Sequence, residues 1–209
     1  RPRLFCTTED LFSQTFVVPF IIPMLQNAGA VVFTPRERDY QTHEVIVDND
    51  HPHRNGTYIE SFRRKQKNIK WNTTERPGFA QIKDIYEACD SPFTDGTARY
   101  VPTVTSAKDE GLAQWVPNIP EEGKYAVYVT YQSYENSTDE ATYTVHHKGG
   151  VTQFKVNQQI GGGTWVYLGT FEFDQGEHDY GMVALSSHSH HKGIITADAV
   201  RFGGGMGNI

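Results

Sequence analysis

From about Glu44 onward the chain is a succession of short β-branched and aromatic runs between Gly, Pro and Asn/Asp punctuation. This pattern constrains the fold more than any other feature of the sequence. Tyr125-Ala-Val-Tyr-Val-Thr-Tyr131 alternates, which places Tyr125, Val127, Val129 and Tyr131 on one face. Similar runs are Ala141 to His147, Val151 to Asn157, Thr164 to Phe173, Tyr180 to Ser186 and Ile194 to Phe202. Strands spaced by turns in this way predict a mainly β fold, a β-sandwich of jelly-roll type. The stretch from Asp50 to Asp90 is polar; it holds Trp71 and one helix candidate, Ile82 to Ala88.

The first forty-odd residues read differently, as a short helix–strand piece of an incomplete α/β domain. Thr7-Thr8-Glu9-Asp10 is a helix-start signal, with Thr7 and Asp10 spaced as in a capping box. Phe12, Phe16, Phe20 and Met24, with Val17, Ile21 and Leu25 beside them, form an apolar stripe too wide for a surface helix. Pro19 and Pro23 bend that helix, and Gly29 supplies its stop. Ala30-Val31-Val32-Phe33 then reads as a strand covered on both faces. One helix and one strand cannot make a domain, so their partners are expected outside this chain.

Composition narrows the function. The 209 residues carry a net charge of −6, so no cationic field exists to neutralise phosphates and nucleic acid is a poor partner. The longest apolar run, Phe16 to Leu25, holds two prolines and is half the roughly 20 residues a transmembrane segment needs. No signal peptide or initiator Met is present, and the chain reads as a piece of something longer. Cys6 and Cys89 leave either a single bridge or two buried thiols open, with the thiols favoured.

Trp115-Val-Pro-Asn-Ile-Pro-Glu-Glu-Gly-Lys-Tyr-Ala-Val-Tyr-Val129 resembles the opening of the golvesin C-terminal-like domain, also called the xanthan-lyase carbohydrate-binding-like domain. Tyr143 to Gly150, Val156-Asn-Gln158, Gly162 to Phe171 and Ala197-Asp-Ala-Val-Arg-Phe202 continue the resemblance in order. It implies a β-sandwich module over residues 44–203 that binds carbohydrate and carries no catalytic residues of its own. A sugar site needs flat aromatic faces against pyranose C–H bonds and planar polar side chains that meet hydroxyls in pairs. Trp71, Tyr58, Tyr131 and Tyr134, read as exposed, are the candidate faces; Gln132, Asn136 and Asn157 are the candidate polar groups. Trp115, Trp165, Phe171 and Phe173 are read as core, and Gly161-Gly162-Gly163 as a loop that needs positive φ or close backbone approach.

Residues 1–43 resemble a fragment of a zinc-dependent N-acetylmuramoyl-L-alanine amidase domain. The resemblance matches Glu9 to a zinc ligand, Asn27-Ala-Gly-Ala30 to the turn after the helix, and Pro35-Arg36-Glu37-Arg38-Asp39 to the motif after the strand. Proline replaces the family's threonine at Pro35, and Pro19 and Pro23 are further departures. Zinc hydrolysis needs about three protein ligands and an open position. The resemblance supplies Glu9 alone, so zinc belongs to the parent protein and this piece holds no complete catalytic site or cofactor. Glu9 reads equally well as an acidic residue that complements a helix dipole. Together the two resemblances match the long Bacteroidetes-type proteins labelled xanthan lyase, with residues 204–209 as the linker returning to the parent domain.

Other candidates read as structural. His188-Ser-His190-His191 is a solvated turn, and His51-Pro-His53 and His146-His147 lack ligand spacing. Asp48-Asn49-Asp50 offers hard oxygens to calcium without the full loop of an EF-hand. Arg63-Arg64-Lys65-Gln66-Lys67 is a solvated basic patch. The expectation is therefore a non-catalytic module whose partners are cell-wall or extracellular polysaccharide, peptidoglycan and the rest of its parent chain, in an extracytoplasmic setting. The alternatives are a piece of a zinc amidase and a purely structural brace.

Overall fold

The computed structural model describes residue 24 and residues 43–64, 69–83 and 90–204. The chain divides after Tyr40 into two units, and all described residues but Met24 belong to the second. The readings made for residues 1–42, Glu9 and Cys6 among them, lie outside the described residues. So do Cys89 and most of the Ile82 to Ala88 helix candidate.

Twelve strands form the described body: β1 Glu44–Asp48, β2 Gly56–Phe62, β3 Asn72–Gly78, β4 Gly96–Pro102, β5 Gly111–Pro117, β6 Gly123–Val129, β7 Ala141–His147, β8 Gly150–Val156, β9 Val166–Phe173, β10 Val183–Ser186, β11 Ile194–Ala197 and β12 Ala199–Gly203. They pair antiparallel throughout, in sheets of order β1-β12-β6-β9, β2-β5-β10-β7-β8 and β11-β4-β3. The result is the β-sandwich that the alternation predicts. No helix among the described residues is long and apolar enough to cross a membrane.

Alternation decides which side chains go inward. In β7, Ala141, Tyr143 and Val145 are buried while Thr142 and Thr144 are half-exposed. The core joins Trp115 of β5, Tyr143 of β7 and Leu185 of β10 to Val127 of β6, Phe173 of β9 and Phe202 of β12. Phe173 and Phe202 meet edge-on at 5.5 Å, and Tyr58 lies 5.5 Å from Trp115. β12 is buried on both faces: Val200 and Phe202 join the core, and Arg201 holds its guanidinium 4.1 Å over Tyr128 and 5.2 Å from Trp165. β1 runs beside β12 along its whole length, with Glu44 opposite Gly203, and Gly204 N donates to His43 O at 3.0 Å.

Two expectations are corrected. Ile194 to Phe202 is not one strand, because Asp198 interrupts it; β11 pairs with β4 and β12 pairs with β1 and β6. The polar stretch after Asp50 contains β2 and β3, whose ladders form despite their polar side chains.

Asp198 is fully buried at the corner between sheets. Its carboxyl oxygens accept Phe79 N at 3.0 and 3.2 Å, and its carbonyl accepts Trp115 Nε1 at 3.0 Å. Burial, with the nearby charges of Asp48 and Asp50, pushes the Asp198 carboxyl well above the usual carboxylate range. Asp48 is pushed up to about 6, chiefly by burial. Its oxygens still accept Asp50 N at 3.2 Å and lie 3.4 Å from His51 Nδ1.

A raised native pKa means that folding favours protonated Asp48, so its contribution is full below the ordinary value of 3.8 and is lost as pH climbs through about 6. Asp48→Asn keeps the acceptor for Asp50 N and removes the buried charge. We expect it to melt higher than wild type at neutral pH and to lose part of the decline in melting temperature between about pH 4 and 6, read by calorimetry across that range.

Candidate functional site

The outer face of the five-stranded sheet is open and forms a groove of about 520 Å³. Strand register builds its floor as two polar rungs. Gln114, Ala184, Thr144 and Gln153 line up across β5, β10, β7 and β8. Leu112, Ser186, Thr142 and Lys155 line up beside them. Every second residue of a strand points the same way, so these are the outward partners of the core residues Ala113, Val183 and Tyr143 and of Phe154, which packs against that core. Ala184, the smallest side chain, sits between the longer Gln114 and Thr144 and leaves the middle low.

The walls are polar and matched in charge. Arg63 Nε lies 2.6 Å from Glu110 Oε1, and Ser186 Oγ donates to Glu110 Oε2 at 2.9 Å. Lys155 Nζ lies 2.9 Å from Glu140 Oε2, while the other Glu140 oxygen accepts His190 N at 2.6 Å and Ser189 Oγ at 3.1 Å. These donors, Lys155 first, lower the Glu140 carboxyl to about 2. Burial and the neighbouring His147 lower the pKa of His146 at the other end, so its imidazole is neutral at pH 7 with one donor and one acceptor. Among the described lining residues Arg63 and Lys155 are paired with Glu110 and Glu140, an arrangement that suits hydroxyl-rich ligands rather than a strong anion. Among the described residues its lining holds no Phe, Tyr or Trp. Among the described residues no three His, Cys, Asp or Glu side chains gather as a metal site.

The residues singled out from sequence lie elsewhere. Trp71 is buried at 5% exposure, and its carbonyl accepts Arg99 Nη2 at 3.1 Å. Tyr58 is half-buried and donates to Glu60 Oε1 at 3.0 Å, the same oxygen that takes Arg99 Nε at 2.6 Å. Tyr131 is buried and donates to Ile160 O at 2.8 Å; Gln132 is buried, with its backbone carbonyl accepting Thr196 Oγ1 at 2.6 Å. The expected exposure of Trp71 and Tyr131 is thus corrected, Tyr58 is only partly open, and Gln132, a candidate polar group, is buried. Trp165, expected in the core, is half-buried, 5.0 Å from Phe79.

Tyr134, Asn136 and Asn157 do remain accessible at one end of the sandwich. Tyr134 lies 4.6 Å beneath the Arg76 guanidinium and accepts Arg76 N at 3.2 Å. Asn157 Oδ1 accepts Gln159 N at 2.9 Å. The same end holds the glycine loop. Gly161 and Gly163 have φ of 79° and 66°, and a Cβ on Gly162 would stand 2.4 Å from Ser133 N. The groove residues Gln114, Thr142, Thr144, Gln153 and Lys155 were not singled out. Their one sequence signal is the polar half of the strand alternation, which any solvated sheet face shows.

Residues 91–204 match the Golvesin C-terminal domain. The chain belongs to that family. All five blocks of resemblance fall inside the match, and β5 to β12, which carry most of the groove, belong to the golvesin domain. A xanthan lyase from Bacillus sp. (strain GL1) is 31% identical over 105 residues, covering 50% of this chain and 11% of that protein. The structure of a Paenibacillus xanthan lyase superposes on the golvesin body with a TM-score of 0.54 at 26% identity, over 77% of this chain and 13% of that one. A family 35 carbohydrate binding module from Clostridium thermocellum, 16% identical, gives a TM-score of 0.42 over 78% of this chain and 99% of that one. The chain thus spans about an eighth or less of the xanthan lyases it matches.

Glu140 clasps the 187–193 turn onto the groove wall. With its carboxyl held near 2, that clasp is complete above the ordinary value of 4.5 and weakens only as pH falls toward about 2. Glu140→Gln is expected to speed hydrogen exchange at the His190 amide at neutral pH while leaving the core amides of β7 and β10 protected, as read by NMR.

Proposed function

We propose that this golvesin domain is a non-catalytic carbohydrate-binding module that holds a polysaccharide chain along the groove of the five-stranded sheet, within a larger, extracytoplasmic, polysaccharide-acting protein. The observation that carries this reading is the pair of polar rungs on an uncovered sheet face. Amide side chains at Gln114 and Gln153 each present a donor and an acceptor in one plane, which suits adjacent hydroxyls. Leu112, Ala184 and Met182 supply apolar surface between them. Balanced charges on the walls favour neutral sugar units over phosphate-rich ligands. The likeness to a segment of two xanthan lyases supports polysaccharide as the ligand class.

Affinity electrophoresis in gels cast with xanthan, and pull-down on peptidoglycan, test this directly. Wild-type chain is expected to be retarded or retained by one of the two. Gln114→Ala combined with Gln153→Ala should weaken binding about tenfold or more, since two hydrogen bonds of about 1 kcal/mol each are lost. Both side chains point away from the core, so the melting temperature should hold. Unaltered mobility of the wild type with both ligands would overturn the reading.

A zinc-dependent amidase in the parent protein is a separate proposal, supported by the sequence resemblance noted for residues 1–43 and by the division of the chain after Tyr40. Metal analysis of the intact parent should find bound zinc, and Glu9→Ala should deplete it.

A further inference from the structure

The described residues of the groove offer hydrogen-bonding groups and no flat aromatic ring, yet one such ring stands open two residues before Met182 of its lining. Tyr180 is 51% exposed and is the most exposed Phe, Tyr or Trp among the described residues. It precedes by two residues Met182, which lines the groove at the end opposite the 187–193 turn. We propose that Tyr180, backed by His178, is a second sugar subsite that stacks one pyranose ring of the bound polysaccharide; this rests on the carbohydrate-binding reading above.

Three observations support the assignment. The rings of His178 and Tyr180 are stacked, 4.7 Å apart and 12° from parallel, so His178 covers one face of Tyr180 while half the residue stays open. A carbonyl only accepts, so the 2.8 Å contact of His178 Nε2 with Gln175 O places the proton on Nε2 and fixes the imidazole. The segment that carries both rings is tied down. Ile119 and Gly176 exchange backbone hydrogen bonds of 3.0 and 2.8 Å, Gln175 Nε2 donates to Pro120 O at 2.9 Å, and Gly181 N donates to His178 O at 3.1 Å. Gly176 has φ of 100°, which only glycine adopts without strain. A ring already held in place loses little freedom on binding.

The third observation is the polar edge. A shallow depression shares His178 and Tyr180 with Ile119, Phe173, Lys148 and Asp174. Lys148 is held between Glu122 and Asp174, the latter at 2.9 Å. A pyranose whose C–H face rests on Tyr180 would have charged donors and acceptors, Lys148 and Asp174, at its hydroxyl edge. Stacking plus edge hydrogen bonds is the combination the groove lacks.

The test is affinity electrophoresis of the 209-residue chain in gels containing xanthan or soluble peptidoglycan fragments, with melting temperatures as folding controls. Tyr180→Ala is expected to weaken binding about tenfold, the scale of one stacking contact. Tyr180→Phe should bind like wild type, and His178→Ala should fall between. The Gln114→Ala, Gln153→Ala pair separates the two sites. If that pair loses affinity while Tyr180→Ala does not, the subsite is refuted and the groove stands. If Tyr180→Ala loses affinity while the pair does not, the subsite holds and the groove reading fails. A wild-type chain that binds neither polymer refutes both.

Discussion

One buried turn holds this body together. At Asp198 the chain leaves the small sheet, where β11 pairs with β4, and enters the four-stranded sheet, where β12 pairs with β1 and β6. The peptide there is anchored from a third direction by the indole of Trp115, a strand of the five-stranded sheet. Three sheets therefore meet at one fully buried residue, and its carboxyl receives Phe79 N. An unpaired group at such a corner would cost about 1–3 kcal/mol. Every strand position that shapes the groove is referred back to this junction through β5 and its ladder to β10.

A second polar cluster secures the opposite loops. Gln158 is fully buried and bridges Tyr143 Oη at 3.0 Å, Thr196 O at 2.8 Å and Thr196 N at 2.9 Å. Thr196 Oγ1 in turn donates to Gln132 O and accepts Gln132 N at 3.2 Å. All of these groups find partners, and a fully satisfied network of this kind rigidifies rather than weakens a core. It fixes the backbone of Gln132 in the interior, while the neighbouring Tyr131 hydroxyl is taken up separately by Asn157 O and Ile160 O.

The strands that alternate cleanly were legible from the residues. The run from Ala141 to His147 coincides with β7, and those read near Tyr125, Val151 and Thr164 overlap β6, β8 and β9 to within a few residues. The Gly161–Gly163 loop was legible too, because its conformational demands and its contact with Ser133 leave room only for glycine. What stayed hidden depends on distant partners. The apolar run from Ile194 through Ala197 carries no mark of the break at Asp198, which arises because its two flanks pair with different strands. β3, Asn72–Gly78, is polar and contains Pro77, and its pairing with β4 shifts register between Thr73 and Pro77. Trp71 looked like a solvent-facing ring in a polar segment, but Arg99, gripped by Glu60, closes over its backbone. The groove residues were invisible for the opposite reason: a threonine or glutamine on an open sheet face has the same local pattern whether or not it meets a ligand.

The pairing of β1 with β12 has a consequence for how such a body is joined to other protein. Its first and last strands are neighbours, and opposed residues in an antiparallel pair are only about 5 Å apart at their α-carbons. Entry and exit therefore leave through a single narrow neck. A unit with that geometry can be spliced into a surface loop of a host fold without prising the loop's two stems apart.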